Sequence, residues 1–220
     1  MHFNAEYTRN LPHYHRYGHA FFVTFRLYDS LPLVFLEKLS KWHVQKKAQI
    51  ALIDDFTLKQ SEEIALQRSY FREFEKALDQ CYFGPTHLKN PEIATIVLNE
   101  FHRFDSELYQ LCAYTIMPNH VHALLDFSVQ ISNSPNFDPK EYRNLEYAMN
   151  RIKGASSRKA NLLLGNTGNP FWQQEYFNRY IRGLRHFNSV VNYIKMNAVS
   201  AGFVKNWWDF PYTWIAKDIW

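Results

Sequence analysis

Residues 108–127 read LYQLCAYTIMPNHVHALLDF, two extended stretches separated by a turn. Leu108–Met117 is rich in apolar and aromatic residues and predicts a strand; Pro118-Asn119 interrupts it, and His120–Phe127 runs on as a second strand. Alternate side chains of a strand share a face, so His120 and His122 project together while Val121, Ala123 and Leu125 point the other way. Two imidazoles on one face of a rigid strand make a ready pair of metal ligands. The same HxH pattern also occurs as plain surface or satisfied histidines, and the residues alone leave both readings open. The adjacent turn predicts that the pair sits at a sheet edge or mouth, not in deep core. Asp126 falls on the same face, but no HxHxD triplet is present.

Working outward, His19–Leu27 (HAFFVTFRL) predicts a buried strand that ends at Tyr28-Asp29-Ser30. Leu33–Ile53, after Pro32, has apolar residues at helical intervals; Asp54–Lys59 breaks the pattern, and Ser61–Asp79 resumes it through Ile64, Phe71, Phe74 and Leu78. A turn region from Gly84-Pro85 leads to Asn90-Pro91. Pro91 then opens a helix with the stripe Ile93, Ala94, Val97, Leu98 and Phe101. Ser128–Pro139 is a polar loop, the segment expected to move most. Glu141–Leu164 predicts a helix, Gly165–Pro170 a loop, and Phe171–Arg182 a short strand or hairpin. Phe187–Ala201 predicts a final helix closed by Gly202 in the left-handed region. The tail after it holds four of the six tryptophans, which predicts that it packs on the body.

Composition narrows the class. The chain has 220 residues, enough for one sizeable domain with a helical insertion near 33–80. Hydrophobic residues at 46% against 21% charged exclude global disorder. Aromatics at 17% fit a Phe- and Tyr-rich core, or stacking platforms for unpaired bases. A net charge of +4 is compatible with a polyanionic partner without requiring one. Cys81 and Cys112 form no CxxC pair, which excludes a zinc ribbon and argues against a disulfide framework. No apolar run approaches the roughly 20 residues of a membrane span, and the first residues lack a signal-peptide core. The expectation is a cytoplasmic protein with no membrane partner.

Two further groups of residues carry possible chemistry. Tyr193 and Asn197, four apart on a helix, lie about one turn from each other on one face. The apolar stripe through Phe187, Val190, Val191, Ile194 and Ala201 leaves both at its margin, where a tyrosine is ordinarily a packing residue with a wet hydroxyl. The stretch Arg151–Lys159 (RIKGASSRK) offers Arg151, Lys153, Arg158 and Lys159 to a phosphate backbone, or simply forms a solvated helix face. Trp172, Tyr176 and Phe177 either stack bases or fill core.

Four stretches in order resemble one family. MPNHVHALL (117–125) is similar to the MPNHVH segment of the single-tyrosine HUH transposases, including the REP-associated tyrosine transposases. FVTFRL (22–27) is similar to that family's first strand, and Phe171-Trp172-Gln173 with Tyr180-Ile181-Arg182 to its WQ…IR stretch. YIKMNAVSAGFV (193–204) resembles its YIxxNPxxAGxV. The resemblance implies an α+β fold, a central antiparallel sheet with packed helices of the ferredoxin-like HUH nuclease type. It implies His120, His122 and Asn197 as ligands of a divalent metal, Mg²⁺ or Mn²⁺, and Tyr193 as the nucleophile. With DNA as the implied substrate, Arg151, Lys153, Arg158 and Lys159 of the basic stretch, together with Trp172 and Arg182, are the expected DNA contacts.

The implied reaction is cleavage and strand transfer of single-stranded DNA beside a REP-like hairpin, through a 5′-phosphotyrosine link and a free 3′-hydroxyl. Monomer and homodimer both fit. One departure is Ala198, where the family usually has proline; it predicts a helix that runs on smoothly. Two other functions compete: an HxH metallohydrolase without a tyrosine step, and a non-catalytic hairpin-binding relative of a transposase.

Overall fold

The computed structural model describes residues 5–8, 12–15, 17–132 and 137–219. The chain divides into two compact units, residues 29–86 and the remainder.

The larger unit begins with a two-stranded ribbon, β1 (Ala5–Thr8) and β2 (Pro12–His15). Strand β3 (Ala20–Arg26) follows, rich in aromatic and branched residues that suit a pleated surface. The smaller unit comes next and is a helix pair. Helix α1 (Leu33–Ala51) and α2 (Phe56–Asp79) fold back on each other through a short link, and the rings of His43 and Tyr70 meet at 4.9 Å. Helix α2 starts earlier than the sequence pattern suggests, because the Asp55 carboxylate accepts the Leu58 N–H and caps it. Gly84 closes this unit with φ +73; a Cβ there would stand 2.1 Å from the Asp29 carbonyl oxygen, so only glycine fits.

Back in the larger unit, α3 (Pro91–Arg103) has Pro91 in its first turn and the Asn90 side chain as its cap. Strands β4 (Gln110–Ile116) and β5 (His120–Asp126) form the hairpin expected from residues 108–127. A single helical turn, α4 (Val129–Ser132), occupies the start of the expected polar loop, of which 133–136 lie outside the described residues. Helix α5 (Leu145–Leu163) is capped by Asn144. Then come β6 (Phe177–Tyr180), α6 (Leu184–Ser200) and β7 (Thr213–Ile215).

Five strands make one antiparallel sheet in the order β6-β3-β5-β4-β7. The fold is α+β, a central antiparallel sheet with packed helices. Its apolar face, with Phe21, Val23, Phe25, Val121, Ala123 and Leu125, meets α3 and α5 in one core cluster. Helix α6 packs on β4, β5 and β7. The aromatic tail supplies β7, an edge strand the sequence pattern did not separate from coil. It is held by stacking of Trp214 on Tyr114 at 5.6 Å and a Thr115–Thr213 hydroxyl contact of 2.8 Å.

Two expectations are corrected here. Strand β5 is the middle strand of five, so the histidines are not at a sheet edge: both have no solvent exposure. Edge or centre is decided by partners far away in sequence, which the hairpin alone does not reveal. On α6 the buried residues are Val190, Ile194, Asn197 and Ala198, so Asn197 lies inside the packed face and not at its margin. Ala198 does let α6 continue, and the helix ends in a Schellman motif: Phe203 N–H donates to Ala198 O and Gly202 N–H to Val199 O, both at 3.0 Å. Cys81 and Cys112 are free thiols.

Phe25 is 1% exposed and touches the rings of Trp172 and Phe101. Phe25→Ala should therefore reduce unfolding free energy by about 3–5 kcal/mol, seen as a lower urea midpoint with an unchanged slope. A loss below about 1 kcal/mol would remove Phe25 from the core.

Candidate active site

The hairpin turn fixes the first imidazole. Met117 N–H donates to His120 O at 2.9 Å, Leu27 N–H to Asn119 O at 2.8 Å, and Leu88 N–H to Pro118 O at 3.2 Å. Asn119 is thereby fully buried, and its side-chain oxygen lies 2.7 Å from His120 Nδ1. The second imidazole is fixed from β3. The register pairs Thr24 with His122 and Arg26 with His120. Thr24 Oγ1 stands 2.8 Å from His122 Nδ1, and Phe22 stacks on the His122 ring at 5.6 Å and 23°. The two Nε2 atoms face each other at 3.0 Å.

Burial pushes the His122 pKa well below the ordinary imidazole range, and neighbouring His120 adds to the effect. His122 is therefore held neutral, the form that ligates metal. The donor geometry also fits a divalent cation: ligand bonds of about 2.1 Å meeting near a right angle put two donors about 3 Å apart.

Helix α6 brings the tyrosine to this pair. The Tyr193 ring meets His122 edge-on at 5.2 Å and Phe22 at 5.7 Å. One turn later, the Asn197 amide N–H donates to Tyr193 Oη at 3.5 Å, and Asn197 is 2% exposed. Residues 73 positions apart in sequence, His120 and Tyr193, thus belong to one aromatic and imidazole cluster.

The basic residues are distributed differently. The apolar side of α5 joins the cluster that includes Val121, Ala123 and Leu125, so α5 lies on the sheet face opposite the imidazoles. Lys153 Nζ donates to the carbonyls of Gln173 at 2.8 Å and Gln174 at 2.6 Å and lies over Tyr176. Lys159 pairs with the buried carboxylate of Glu100 on α3. Arg151 lies over the Tyr147 ring and is exposed, as is Arg158. Trp172 is a core residue: it is 6% exposed, packs on Phe25 and Phe171, and donates its indole N–H to Ser156 Oγ at 2.9 Å. Its ring is committed to the core, so the core-filling alternative holds for it. Arg182 is exposed between β6 and the start of α6, with its guanidinium over Tyr180.

Three site neighbours were not singled out by sequence pattern: Thr24, Asn119 and Arg26. Arg26 is 6% exposed at the register position of His120. Their signal lay in the FVTFRL and PNH stretches, but it becomes readable only once the β3–β5 register is known.

An antiparallel sheet with two buried imidazoles on its middle strand, and a tyrosine carried to them by a helix, defines a protein built around one histidine–tyrosine centre. The chain belongs to the IS200-like transposase family, whose family model matches residues 88–197, a span containing both histidines, Tyr193 and Asn197. Among solved structures, a REP-associated tyrosine transposase bound to a REP hairpin is similar over 95% of this chain and 81% of that one, at 15% identity and a TM-score of 0.48. A comparison with curated proteins gives no match.

The placement of α5 generates a stability test. Lys159→Met leaves the Glu100 carboxylate, 1% exposed, with the longer 3.7 Å contact to Arg103 as its remaining ion pair among the described residues. It should lower unfolding free energy by about 2 kcal/mol, whereas Arg158→Ala should change it by less than about 0.5 kcal/mol. Equal urea midpoints for the two variants would mean that the Lys159–Glu100 pair contributes nothing to the α3–α5 contact.

Proposed function

We propose that this protein is a divalent-metal-dependent endonuclease and strand transferase for single-stranded DNA, acting beside hairpins through a phosphotyrosine intermediate. Residues 1–220 act in this reading as one transposase domain carrying a helical insertion. The observation that carries it is the edge-on contact of Tyr193 with His122 at 5.2 Å, beside a second imidazole at hydrogen-bond distance. Family membership supports the transposase class, and the motif resemblance to the REP-associated group supports a hairpin-flanked substrate.

His120 and His122 would hold Mg²⁺ or Mn²⁺ through Nε2, with the Asn197 amide as a third donor. A cation held there supplies charge withdrawal from a non-bridging oxygen of the scissile phosphate. Tyr193 supplies the nucleophile. Its phenol, ordinarily with a pKa near 10, must lose its proton to attack, and the Asn197 N–H stabilises the oxyanion by donating to Oη. Attack of Oη on phosphorus forms the P–O bond to tyrosine and releases the 3′-oxygen as a hydroxyl. The phosphodiester energy is kept in that bond, so a second 3′-hydroxyl can reverse the step and join a new end.

Tyr193→Phe keeps the ring and its packing, so DNA hairpin binding should persist while the covalent protein–DNA adduct disappears. His120→Ala and His122→Ala should also abolish cleavage, as should EDTA. An oligonucleotide with a hairpin and a single-stranded flank, followed by denaturing electrophoresis, measures all of this. Cleavage without an adduct in the wild type would indicate a hydrolase. Binding without cleavage would indicate a binding module. An adduct retained by Tyr193→Phe would shift the nucleophile to Tyr176 or Tyr180.

Arg151, Arg158 and Arg182 are the exposed cations from which phosphate contacts are proposed. Neutralising a contacting one should flatten the log–log salt dependence of single-strand binding by about 0.7. A slope unchanged in all three variants would leave these residues as solvated surface.

A further inference from the structure

We propose that Trp208 is a stacking platform for unpaired bases, holding the single-stranded flank of the DNA a few nucleotides away from Tyr193. The inference rests on the single-strand reading above and adds a contact that reading does not use.

Among the described residues Trp208 is the one tryptophan that is exposed, at 66%. Trp172, which the sequence offers for stacking, is committed to the core, and Trp214 is stacked on Tyr114. Tryptophan is highly buried on average, so an indole two-thirds in water stands out on a tail that otherwise packs on the body. Three features distinguish it from a stray surface ring.

It is held in place. Trp207–Asp209 form a short 3₁₀ turn that packs on α6. Asp209 N–H donates to Asn206 O at 3.1 Å and Phe210 N–H to Trp207 O at 3.2 Å. The Trp208 ring meets half-buried Trp207 edge-on at 6.0 Å and 80°. A ring fixed in this way loses little freedom when a base stacks on it.

It has cationic and aromatic company. Lys195 Nζ lies 4.7 Å from the centroid of the Trp207 ring, and exposed Lys205 precedes Trp208 by three residues. Ammonium groups beside aromatic rings are the combination that takes phosphates and bases of one strand together. The acidic group of the turn, Asp209, accepts the Asn206 side-chain amide at 3.0 Å. After the Schellman ending of α6, an apolar residue at the position of Phe203 ordinarily packs back on the helix. Here Phe203 is 40% exposed and pairs with Phe210 at 6.3 Å, adding a further ring to the same stretch.

Its place in the fold sets what it can bind. Lys195 follows Tyr193 by two residues, which turns it about 200° round the helix, so the tryptophan turn is not part of the cleavage centre. A helix with its side chains is about 10–12 Å across, and a strand passing from Tyr193 round α6 needs at least about three nucleotides at the ~3.4 Å stacked spacing. The platform therefore suits the flank and not the scissile phosphate.

Fluorescence anisotropy on the full chain tests this with two labelled hairpin oligonucleotides, one with a single-stranded flank of about ten nucleotides and one with about two. Trp208→Ala should bind the long-flank hairpin about 5- to 150-fold more weakly, the range for losing one base–aromatic stack. Trp208→Phe, which keeps a smaller ring, should lose less, and both variants should bind the short-flank hairpin as the wild type does. Long-flank DNA should also quench tryptophan emission more in the wild type than in Trp208→Phe. Urea midpoints equal to that of the wild type establish that both variants are folded. Wild-type affinity of Trp208→Ala for the long flank, or equal weakening on both hairpins, overturns the platform; a covalent adduct formed by the wild type then leaves the function proposed above standing. Failure of the wild type to bind either hairpin overturns both.

Discussion

The pairing of β3 with β5 is the constraint on which the rest of this structure depends. Its register sets Thr24 against His122 and Arg26 against His120, and alternation puts Val23 and Phe25 with Val121 and Ala123 on the opposite face. A slip of one residue would turn the imidazoles into the apolar cluster and the apolar residues toward α6. The apolar face thus prevents the slip: burying Phe21, Val23, Phe25 and Leu27 in one register stabilises the unit that presents the imidazoles in the same register. Core and site are two consequences of one alignment.

That alignment also explains how two histidines tolerate complete burial. An unpaired imidazole nitrogen in a dry interior is costly. Here Asn119 answers His120 from the turn and Thr24 answers His122 from the neighbouring strand, while the two Nε2 atoms answer each other. Burial in a region of low polarity keeps His122 neutral. Tyr193 is half-buried and makes edge-on ring contacts of the kind worth about 0.5–1.5 kcal/mol each. Such contacts orient the ring, and the Asn197 amide N–H reaches its hydroxyl at 3.5 Å.

The sheet separates functions as well as faces. Helix α5, which carries the basic run Arg151–Lys159, lies with α3 across the sheet from the imidazoles, and two of its cations serve the fold: Lys153 ties down the 173–174 carbonyls, and Lys159 neutralises Glu100. Arg182, by contrast, leads directly into the helix that carries Tyr193. A basic run on a helix records charge, and whether that charge faces a ligand or a buried carboxylate depends on what the helix packs against.

What the sequence determined by itself were local properties. Richness in apolar, aromatic and β-branched residues specified strands in 108–127 and 19–27, and strand alternation put His120 and His122 on one face; helical periodicity with Pro91 and Gly202 at its ends specified α3 and α6. Ordered motifs tied His120, His122 and Tyr193 to one family. Tertiary structure decided which strand became central, which residues of α6 were buried, that Trp172 fills the core, and that Thr24 and Asn119 hold the imidazoles. The physical reason is range. Alternation and capping act within a few residues along the chain, whereas strand order, register and helix placement are set by the packing of side chains from distant segments. Thr24 and His122 are 98 positions apart, and only the folded sheet makes them neighbours.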